Sequence, residues 1–124
     1  MHDLFVHGRL RPGCGGPGPV SDAPFLGSAQ TAQEYSLCII KARPFVIKRE
    51  ASAIKGEVYS VDDPVLKLVD RLEGHPHVTR RELVPVRLED GNTIDAWLYF
   101  YVQPLHDYTL VESGDFALWK KNPG

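Results

Sequence analysis

Apolar residues near the start of the chain form one short, dense run. The run LFVHGRL, residues 4–10, contains Phe and Val, which favour a strand. It leads into RPGCGGPGP, residues 11–19, where glycine and proline are too frequent for a helix or a central strand. We predict a buried strand and then a loop. That loop is either a plain surface connection or a segment whose backbone lies close to a ligand.

Three further stretches predict strands before the middle of the chain. FLGSAQTAQEYSLCII, residues 25–40, alternates in part and predicts one long or bent strand. PFVIK, residues 44–48, predicts a short strand that Pro44 keeps away from the centre of a sheet. IKGEVYSV, residues 54–61, alternates between apolar and polar positions and predicts another strand.

The segment DDPVLKLVDRLEG, residues 62–74, carries the clearest helical pattern. Asp63 is a suitable N-cap, Pro64 suits the first helical position, and Gly74 is a typical helix end. Apolar residues share one stripe of this helix: Val65, Leu68, Val69 and Leu72. We therefore predict an amphipathic helix with Glu73 in its last turn.

The second half of the chain predicts a β-hairpin. RELVPVRLEDGNTIDAWLYFYV contains two alternating segments, 81–88 and 94–102, separated by a turn at Asp90-Gly91. A further turn, Ser113-Gly114-Asp115, is expected to close the barrel, with Asp115 bonded to the backbone. About six strands and one clear helix predict an α+β fold whose mixed, mostly antiparallel sheet can close into a barrel.

Composition narrows the class of protein. A length of 124 residues suits one domain spanning 1–124. The net charge of −2 and the absence of a basic run give no reason to expect nucleic acid. No apolar stretch is long enough to span a membrane, and the first residues do not resemble a signal peptide, so we expect a cytoplasmic protein. The sequence does not indicate an oligomeric state.

Metal and thiol chemistry have little support in the sequence. Cys14 and Cys38 match no metal or redox spacing, and we expect both to be reduced thiols. His75 and His77 form a His-x-His pair, but a third ligand with suitable spacing does not stand out. We expect no metal and no organic cofactor.

Glu73 is the residue whose local position suggests chemistry. It lies in the last helical turn, where the helix dipole disfavours a carboxylate, and an inward orientation would raise its pKa through desolvation. Such a carboxyl group can accept and return a proton near neutral pH. Nearby arginines would instead keep it ionised if the fold brought them close: Arg71, Arg80 and Arg81. A lone glutamate at a helix end is more often a surface residue.

Four segments, in chain order, resemble motifs of the gamma-glutamylcyclotransferase-like family. LFVHGRLRPG resembles the opening Phe-Val-Tyr-Gly-Ser/Thr-Leu-Arg. IKGEVYSVDDPVLKLVDRLEG resembles the central block, Gly-Glu-Val-Tyr and then a helix ending in Leu-Asp-x-x-Glu-Gly. HPHVTRRELVPV is similar to the Pro-x-x-Tyr-x-Arg segment, and ESGDF to a late Ser-Gly-Asp-Trp element. The resemblance covers nearly the whole chain.

The resemblance implies a small mixed, mostly antiparallel β-barrel with flanking helices, whose cavity holds a γ-glutamyl substrate. It implies that Glu73 is the general acid/base of a cyclotransferase. The free α-amine of the substrate attacks its own γ-carbonyl and releases 5-oxoproline and an amine. Backbone N–H groups of the first loop can hold an α-carboxylate or the developing oxyanion. The implied substrate-binding positions are His7, Gly8, Arg9, Leu10 and Thr79.

Three of these positions differ from the usual family residues and leave alternatives open. Tyr-Gly-Ser/Thr-Leu becomes His7-Gly8-Arg9-Leu10, and Thr79 replaces a tyrosine. Arg9 either binds a substrate carboxylate, which would also suit a different lyase or transferase, or pairs with Glu73 and fills the pocket. The latter would make the protein a catalytically silent small-molecule binding protein. His7 is either a second proton carrier or a core histidine bonded to the backbone.

Overall fold

The computed structural model describes residues 1–15 and 18–121, so residues 16 and 17 of the predicted loop lie outside the described residues. Within these ranges the chain forms strands, helices and one 3-10 turn. The strands are β1 (His2–Val6), β2 (Phe25–Thr31), β3 (Tyr35–Ile40), β4 (Arg43–Ser52), β5 (Lys55–Val61), β6 (Thr79–Leu88), β7 (Thr93–Tyr101) and β8 (Thr109–Val111). The helices are α1 (Asp63–Glu73) and α2 (Phe116–Lys121), and the 3-10 turn covers Gly18–Val20.

Five strands close into a mixed β-barrel in the order β1-β5-β2-β6-β7. Neighbouring strands in this order are antiparallel, and β1 closes the ring by pairing in parallel with β7 at Leu4 and Trp97. Outside the barrel, β4 pairs in parallel with β7, and β3 and β8 extend the sheet. The predicted α+β fold with a small, mostly antiparallel barrel and flanking helices is confirmed.

Two apolar clusters share strand β1. The larger one fills the barrel and contains Phe5, and the other lies between the barrel and α1 and contains Leu4 and Val6. Because successive side chains of a strand point to opposite faces, β1 contributes to both clusters. Leu66 and Val69 of α1 complete the second cluster. This packing brings the end of α1 to the end of β1.

The buried face of α1 differs from the predicted stripe. Leu68 and Leu72 are 41% and 51% exposed, whereas Leu66 and Val69 are buried. Glu73 follows Leu66 by two helical turns and therefore lies on the inward face. Val69 of the predicted stripe is buried and Val65 packs partly buried against the same cluster. Leu68 and Leu72 were wrong, because both satisfy a helical period as well as Leu66 does and only packing against β1 selects between them.

The N-terminus of α1 also differs by one residue. Asp62, and not Asp63, is the N-cap, and its carboxylate accepts a hydrogen bond from the Val65 N–H at 3.0 Å. Aspartate is a suitable N-cap at either position. The capping residue is the one whose side chain accepts the N–H three residues further along the chain, and that residue is Asp62.

The predicted strand over 25–40 is two strands. β2 and β3 are separated at 32–34, where the Glu34 N–H donates to the Ala32 carbonyl in a turn. β2 belongs to the barrel and β3 lies outside it. A continuous strand-like pattern does not show where a chain changes direction.

Strand β4 is longer than predicted and lies inside the sheet, between β7 and β3. Pro44 occupies its second position, opposite Ile39, where the missing N–H interrupts little of the ladder. Strand β8 and helix α2 were not predicted because short elements carry too few residues for a clear period. No described helix is long and apolar enough to cross a membrane.

Candidate active site

The ends of β1 and α1 form a small cavity of about 20 Å³. Its lining residues are Leu4, Phe5, Val6, His7, Gly8, Arg9, Leu10, Val69, Glu73 and Tyr99. The structure thus brings together every predicted site residue except Thr79. A larger groove of about 540 Å³ lies elsewhere and is lined by other residues, including Arg11, Arg87 and Asp115. We take the smaller cavity as the site because it contains the proton-carrying candidate and the loop that follows β1.

Glu73 is partly buried at the end of α1. Gly74 ends the helix in the left-handed conformation, with φ of 72°, which favours glycine. Among the described residues, the Glu73 carboxyl group has no hydrogen-bond or ion-pair partner. Burial raises its pKa above the ordinary value, and the positive charge of Arg43 opposes this in part. The site therefore holds a carboxyl group whose proton affinity is increased by desolvation.

Of the three arginines near Glu73 in sequence, Arg81 binds a different carboxylate. Its Nε and Nη2 donate to the two Asp70 oxygens at 2.8 and 3.3 Å. The Tyr99 hydroxyl donates to the same carboxylate at 2.5 Å. Burial raises the pKa of Asp70, but these donors outweigh burial and hold that pKa below its usual range. Arg81, which the sequence left as a candidate partner of Glu73, is thus paired with Asp70 instead.

Tyr99 connects this ion pair to the cavity. Its hydroxyl group is buried and bonded to Asp70, and both effects raise the pKa of Tyr99 well above its ordinary value. The group therefore stays protonated as a donor. We did not single out Asp70 from the sequence, although it occupies the Asp of the Leu-Asp-x-x-Glu-Gly motif one helical turn before Glu73.

Thr79 contacts the C-terminal end of α1. It is 1% exposed, and its hydroxyl group donates to the backbone carbonyl of Glu73 at 2.9 Å. This bond satisfies one of the carbonyls that every helix leaves unpaired at its C-terminus. The structure thus places Thr79 where it can hold the main chain of Glu73 in position, outside the cavity wall.

The loop after β1 lines the cavity with Gly8, Arg9 and Leu10. The Arg11 N–H donates to the Gly8 carbonyl at 3.0 Å and forms a turn. No described residue accepts a hydrogen bond from the N–H groups of Gly8, Arg9 or Leu10. A side chain at Gly8 would come within 2.8 Å of the Pro44 ring, which explains why glycine stands there. Free N–H groups in a tight loop are suited to binding an anion.

The side chain of Arg9 makes no hydrogen bond or ion pair with Glu73. It is exposed, and Nη2 donates to the carbonyl of Ala42 in the β3–β4 turn at 3.1 Å. The alternative in which Arg9 pairs with Glu73 and fills the pocket is therefore not what the structure shows.

His7 lines the cavity and is 7% exposed. Its Nδ1 atom is buried without a partner among the described residues. Burial, together with the charge of Arg11, lowers the pKa of His7 to about 4. The imidazole is therefore neutral near pH 7.

The side chain of Arg11 connects the loop after β1 to β5 and to the segment before α2. Its guanidinium donates to the two Glu57 oxygens at 2.9 and 3.1 Å, and to Asp115 at 2.8 Å. Asp115 also accepts the Leu118 N–H at 3.2 Å at the start of α2, so the predicted turn residue does bond to the backbone. Gly114 has φ of 69° and leaves no space for a side chain, because an added Cβ would lie 2.1 Å from the Ala53 carbonyl oxygen.

The two cysteines and the His75–His77 pair do not line the cavity. Cys14 and Cys38 are free and buried, and burial raises the pKa of both thiols. His75 accepts the Arg81 N–H through Nδ1 at 3.3 Å, and His77 is exposed. Within the described ranges, no three His, Cys, Asp or Glu side chains lie close enough together to hold a metal ion.

The burial of Glu73 has a consequence for stability. A carboxyl group whose pKa is raised in the folded state favours folding when protonated and opposes it when ionised. Glu73→Gln should therefore raise the free energy of unfolding at pH 7, and the gain should shrink as the pH falls through the raised pKa. Urea unfolding at several pH values measures this. The exposed Glu112→Gln is the control, and a Glu73→Gln variant less stable than wild type at pH 7 would contradict the prediction.

Comparisons with known proteins identify the family and relatives of this chain. The family described as Gamma-glutamyl cyclotransferase, AIG2-like matches residues 4–120. A Methanocaldococcus jannaschii protein provisionally named a gamma-glutamylcyclotransferase is 42% identical over 118 residues, covering 94% of this chain and 96% of its own. A Vibrio cholerae protein of the same provisional name is 32% identical over 117 residues, covering 94% and 96%.

Solved structures share the fold. The solution structure of protein ytfP from Escherichia coli is 29% identical, with a TM-score of 0.69 and coverage of 92% of this chain and 95% of its own. The crystal structure of an aig2-like protein from Mus musculus has a TM-score of 0.83 at 23% identity, covering 93% and 87%. By its sequence over nearly its whole length, the chain belongs to the gamma-glutamyl cyclotransferase, AIG2-like family.

Proposed function

We propose that this protein is a cyclotransferase that converts a γ-glutamyl amine or peptide into 5-oxoproline and a free amine. The observation that carries the proposal is the placement of Glu73. Its carboxyl group, with a raised pKa and no bonded cation among the described residues, shares a small cavity with the free N–H groups of the Gly8–Leu10 loop.

The reaction follows from these two features. The α-amine nitrogen of the substrate forms a bond to its own γ-carbonyl carbon, and the bond from that carbon to the leaving nitrogen breaks. Glu73 takes a proton from the attacking amine and returns it to the leaving amine, so no proton is gained or lost. Because the attack is intramolecular, holding the glutamyl chain curled supplies much of the rate. The scheme uses no cofactor.

The loop and its neighbours have separate roles in this scheme. The N–H groups of Gly8, Arg9 and Leu10 hold the α-carboxylate or the oxyanion that develops on the γ-carbonyl. Neutral His7 offers a hydrogen-bonding nitrogen to the bound substrate. Thr79 acts indirectly, by holding the main chain of Glu73.

The direct test is 5-oxoproline release by the purified protein from a panel of γ-glutamyl amines and γ-glutamyl dipeptides, followed by chromatography. We expect release from at least one member. If the folded protein releases none, the proposal fails, and a binding role for the same cavity takes its place.

The pH dependence offers a second test. Only ionised Glu73 accepts a proton, so kcat/KM should fall as the pH drops through its raised pKa. Arg43→Gln removes the charge that lowers this pKa, so the acid limb should move to higher pH. Protonation of the substrate amine lowers kcat/KM equally in both proteins, so it cancels when the two values are divided at each pH. An acid limb that is unchanged, or moved to lower pH, would contradict the assignment.

A further inference from the structure

The groove of about 540 Å³ crosses strands β5, β2 and β6 on the outside of the barrel. Its floor is formed by Ser28 and Gln30 of β2, which lie on the outer face because Ala29 between them belongs to the cluster inside the barrel. It shares no lining residue with the cavity that contains Glu73. Its volume is typical of a site for a small molecule. We call it the β2 groove.

One end of the β2 groove is basic. Gln30 pairs with Lys55 of β5 on one side and with Arg87 of β6 on the other. Residues directly opposite each other in a sheet place their side chains on the same face, so the two cations flank the Gln30 amide. Both cations are exposed, and neither side chain makes a hydrogen bond or ion pair with a described residue, although the charge of Lys55 acts on Asp115. This row offers two cations and an amide to a ligand.

The other end of the β2 groove is acidic. Ser28 pairs with Glu57 of β5, and on the other side the Glu89 N–H donates to the Ser28 carbonyl at 3.0 Å. The carboxylate of Glu57 is already bonded to Arg11. Glu89 is exposed, and its carboxylate has no partner among the described residues. Glu89 is therefore the carboxylate that this row offers to a ligand.

Both walls of the β2 groove are held in place by bonds within the protein. On one side, the guanidinium of Arg11 joins Glu57 to Asp115. On the other side, the turn between β6 and β7 is fixed by the Asn92 N–H, which donates to the Asp90 carboxylate at 2.8 Å. A groove with preformed walls loses little conformational freedom when a ligand binds.

We propose that the β2 groove binds a linear dipeptide with free termini. Its carboxylate lies between Lys55 and Arg87, and its ammonium group lies at Glu89. The basic and acidic rows are two residues apart along β2, a separation of roughly 7 Å. The termini of an extended dipeptide are a similar distance apart, because each residue spans about 3.3–3.6 Å. Ser28 and Gln30 place a hydroxyl group and an amide on the floor below the peptide group.

The two rows of charge disfavour simpler ligands. A dianion such as inorganic phosphate would bind the two cations but would leave the ammonium position at Glu89 empty. A polyamine would place its positive charge against Lys55 and Arg87. A single amino acid is too short to reach both rows. The inference does not depend on the cyclotransferase function, because it uses none of the residues that line the Glu73 cavity.

The experiment is an NMR titration of the ¹⁵N-labelled protein with alanyl-alanine, which has no γ-glutamyl group and cannot form 5-oxoproline. We expect millimolar affinity and saturable shifts at the backbone amides of Gln30, Gly56 and Glu89, which line the groove. The N-acetyl dipeptide and the dipeptide C-terminal amide each lose one charge. Each should bind roughly 5-fold more weakly than the free dipeptide, near the upper end for an exposed ion pair.

Two variants test which row holds which terminus. The double variant Lys55→Gln/Arg87→Gln should bind the free dipeptide and its C-terminal amide equally, while keeping the preference for a free amine. Glu89→Gln should show the reverse pattern. Each preference is a ratio within one protein, so a general change in stability or net charge cancels. Lys67→Gln removes an exposed cation of α1 outside the groove and should keep both preferences.

Several results would overturn the assignment. These are the absence of saturable shifts, shifts confined to the Gly8–Leu10 loop, and equal affinity for alanine and alanyl-alanine. Tighter binding of inorganic phosphate than of the dipeptide would show that the groove is an anion site. Loss of the acid preference in Lys67→Gln would make net charge the cause. None of these results bears on 5-oxoproline release, so the two proposals fail separately.

Discussion

Replacing Glu73 with glutamine should lower kcat for 5-oxoproline release by about 10²- to 10⁴-fold, the range that general acid–base catalysis contributes. The amide has nearly the same shape as the carboxyl group but cannot accept the proton of the attacking amine. Substrate binding by the Gly8–Leu10 loop should persist, so KM should change little. Steady-state kinetics on the best substrate of the panel measures both constants.

Two further variants make this result interpretable. Glu112→Gln removes one exposed carboxylate outside the cavity and should retain wild-type activity. Glu73→Asp keeps the base but moves it back by one methylene, so it should fall between wild type and the glutamine variant. Retention of most of the activity by a folded Glu73→Gln protein would mean that proximity alone drives the ring closure, and that Glu73 is not the proton carrier.

Replacing Arg11 with methionine should lower the free energy of unfolding by about 3–5 kcal/mol, the cost of breaking a buried ion pair. The side chains of Arg11, Glu57 and Asp115 are only 10%, 12% and 22% exposed, and the substitution leaves both carboxylates without their cation. Urea unfolding at pH 7 measures the loss. Arg87→Met, which removes an exposed cation, should change stability little.

The pH dependence of this loss has a definite sign. Although burial opposes it, Arg11 and the Leu118 N–H hold the pKa of Asp115 below its ordinary value. A lowered carboxyl pKa contributes stability that is present at neutral pH and lost as the pH falls through the folded-state pKa. The difference between wild type and Arg11→Met should therefore shrink in acid. A loss below about 1 kcal/mol at pH 7 would mean that the network behaves as a surface ion pair.

The sequence predicted the parts of the site that depend on neighbouring residues. Gly74 ends α1 where a residue in the left-handed conformation is needed, and this places Glu73 in the last turn. The hairpin at Asp90-Gly91 is confirmed, with Gly91 at φ of 92°. The loop after β1 was found through its resemblance to the family motif, because its residues are adjacent in the chain.

The sequence did not predict which charged groups would pair. Arg81 was a candidate partner for Glu73, but it binds Asp70, and the cation near Glu73 is Arg43 from a distant turn. No local pattern connects Arg43 to the end of α1, since the β3–β4 turn reaches the site only when β4 joins the sheet beside β7. The same holds for Arg11, whose two carboxylate partners come from β5 and from the segment before α2.

The sequence by itself thus determined most of the strands, the helix that carries Glu73 and the glycine that ends that helix. These depend on capping, turn geometry and alternation, which act between residues a few positions apart. Only the tertiary structure decided that Glu73 is partly buried without a bonded cation, that Arg9 does not pair with it, and that the charge of Arg43 acts on it. Burial and charge pairing depend on which distant segments pack together, and that choice belongs to the whole fold.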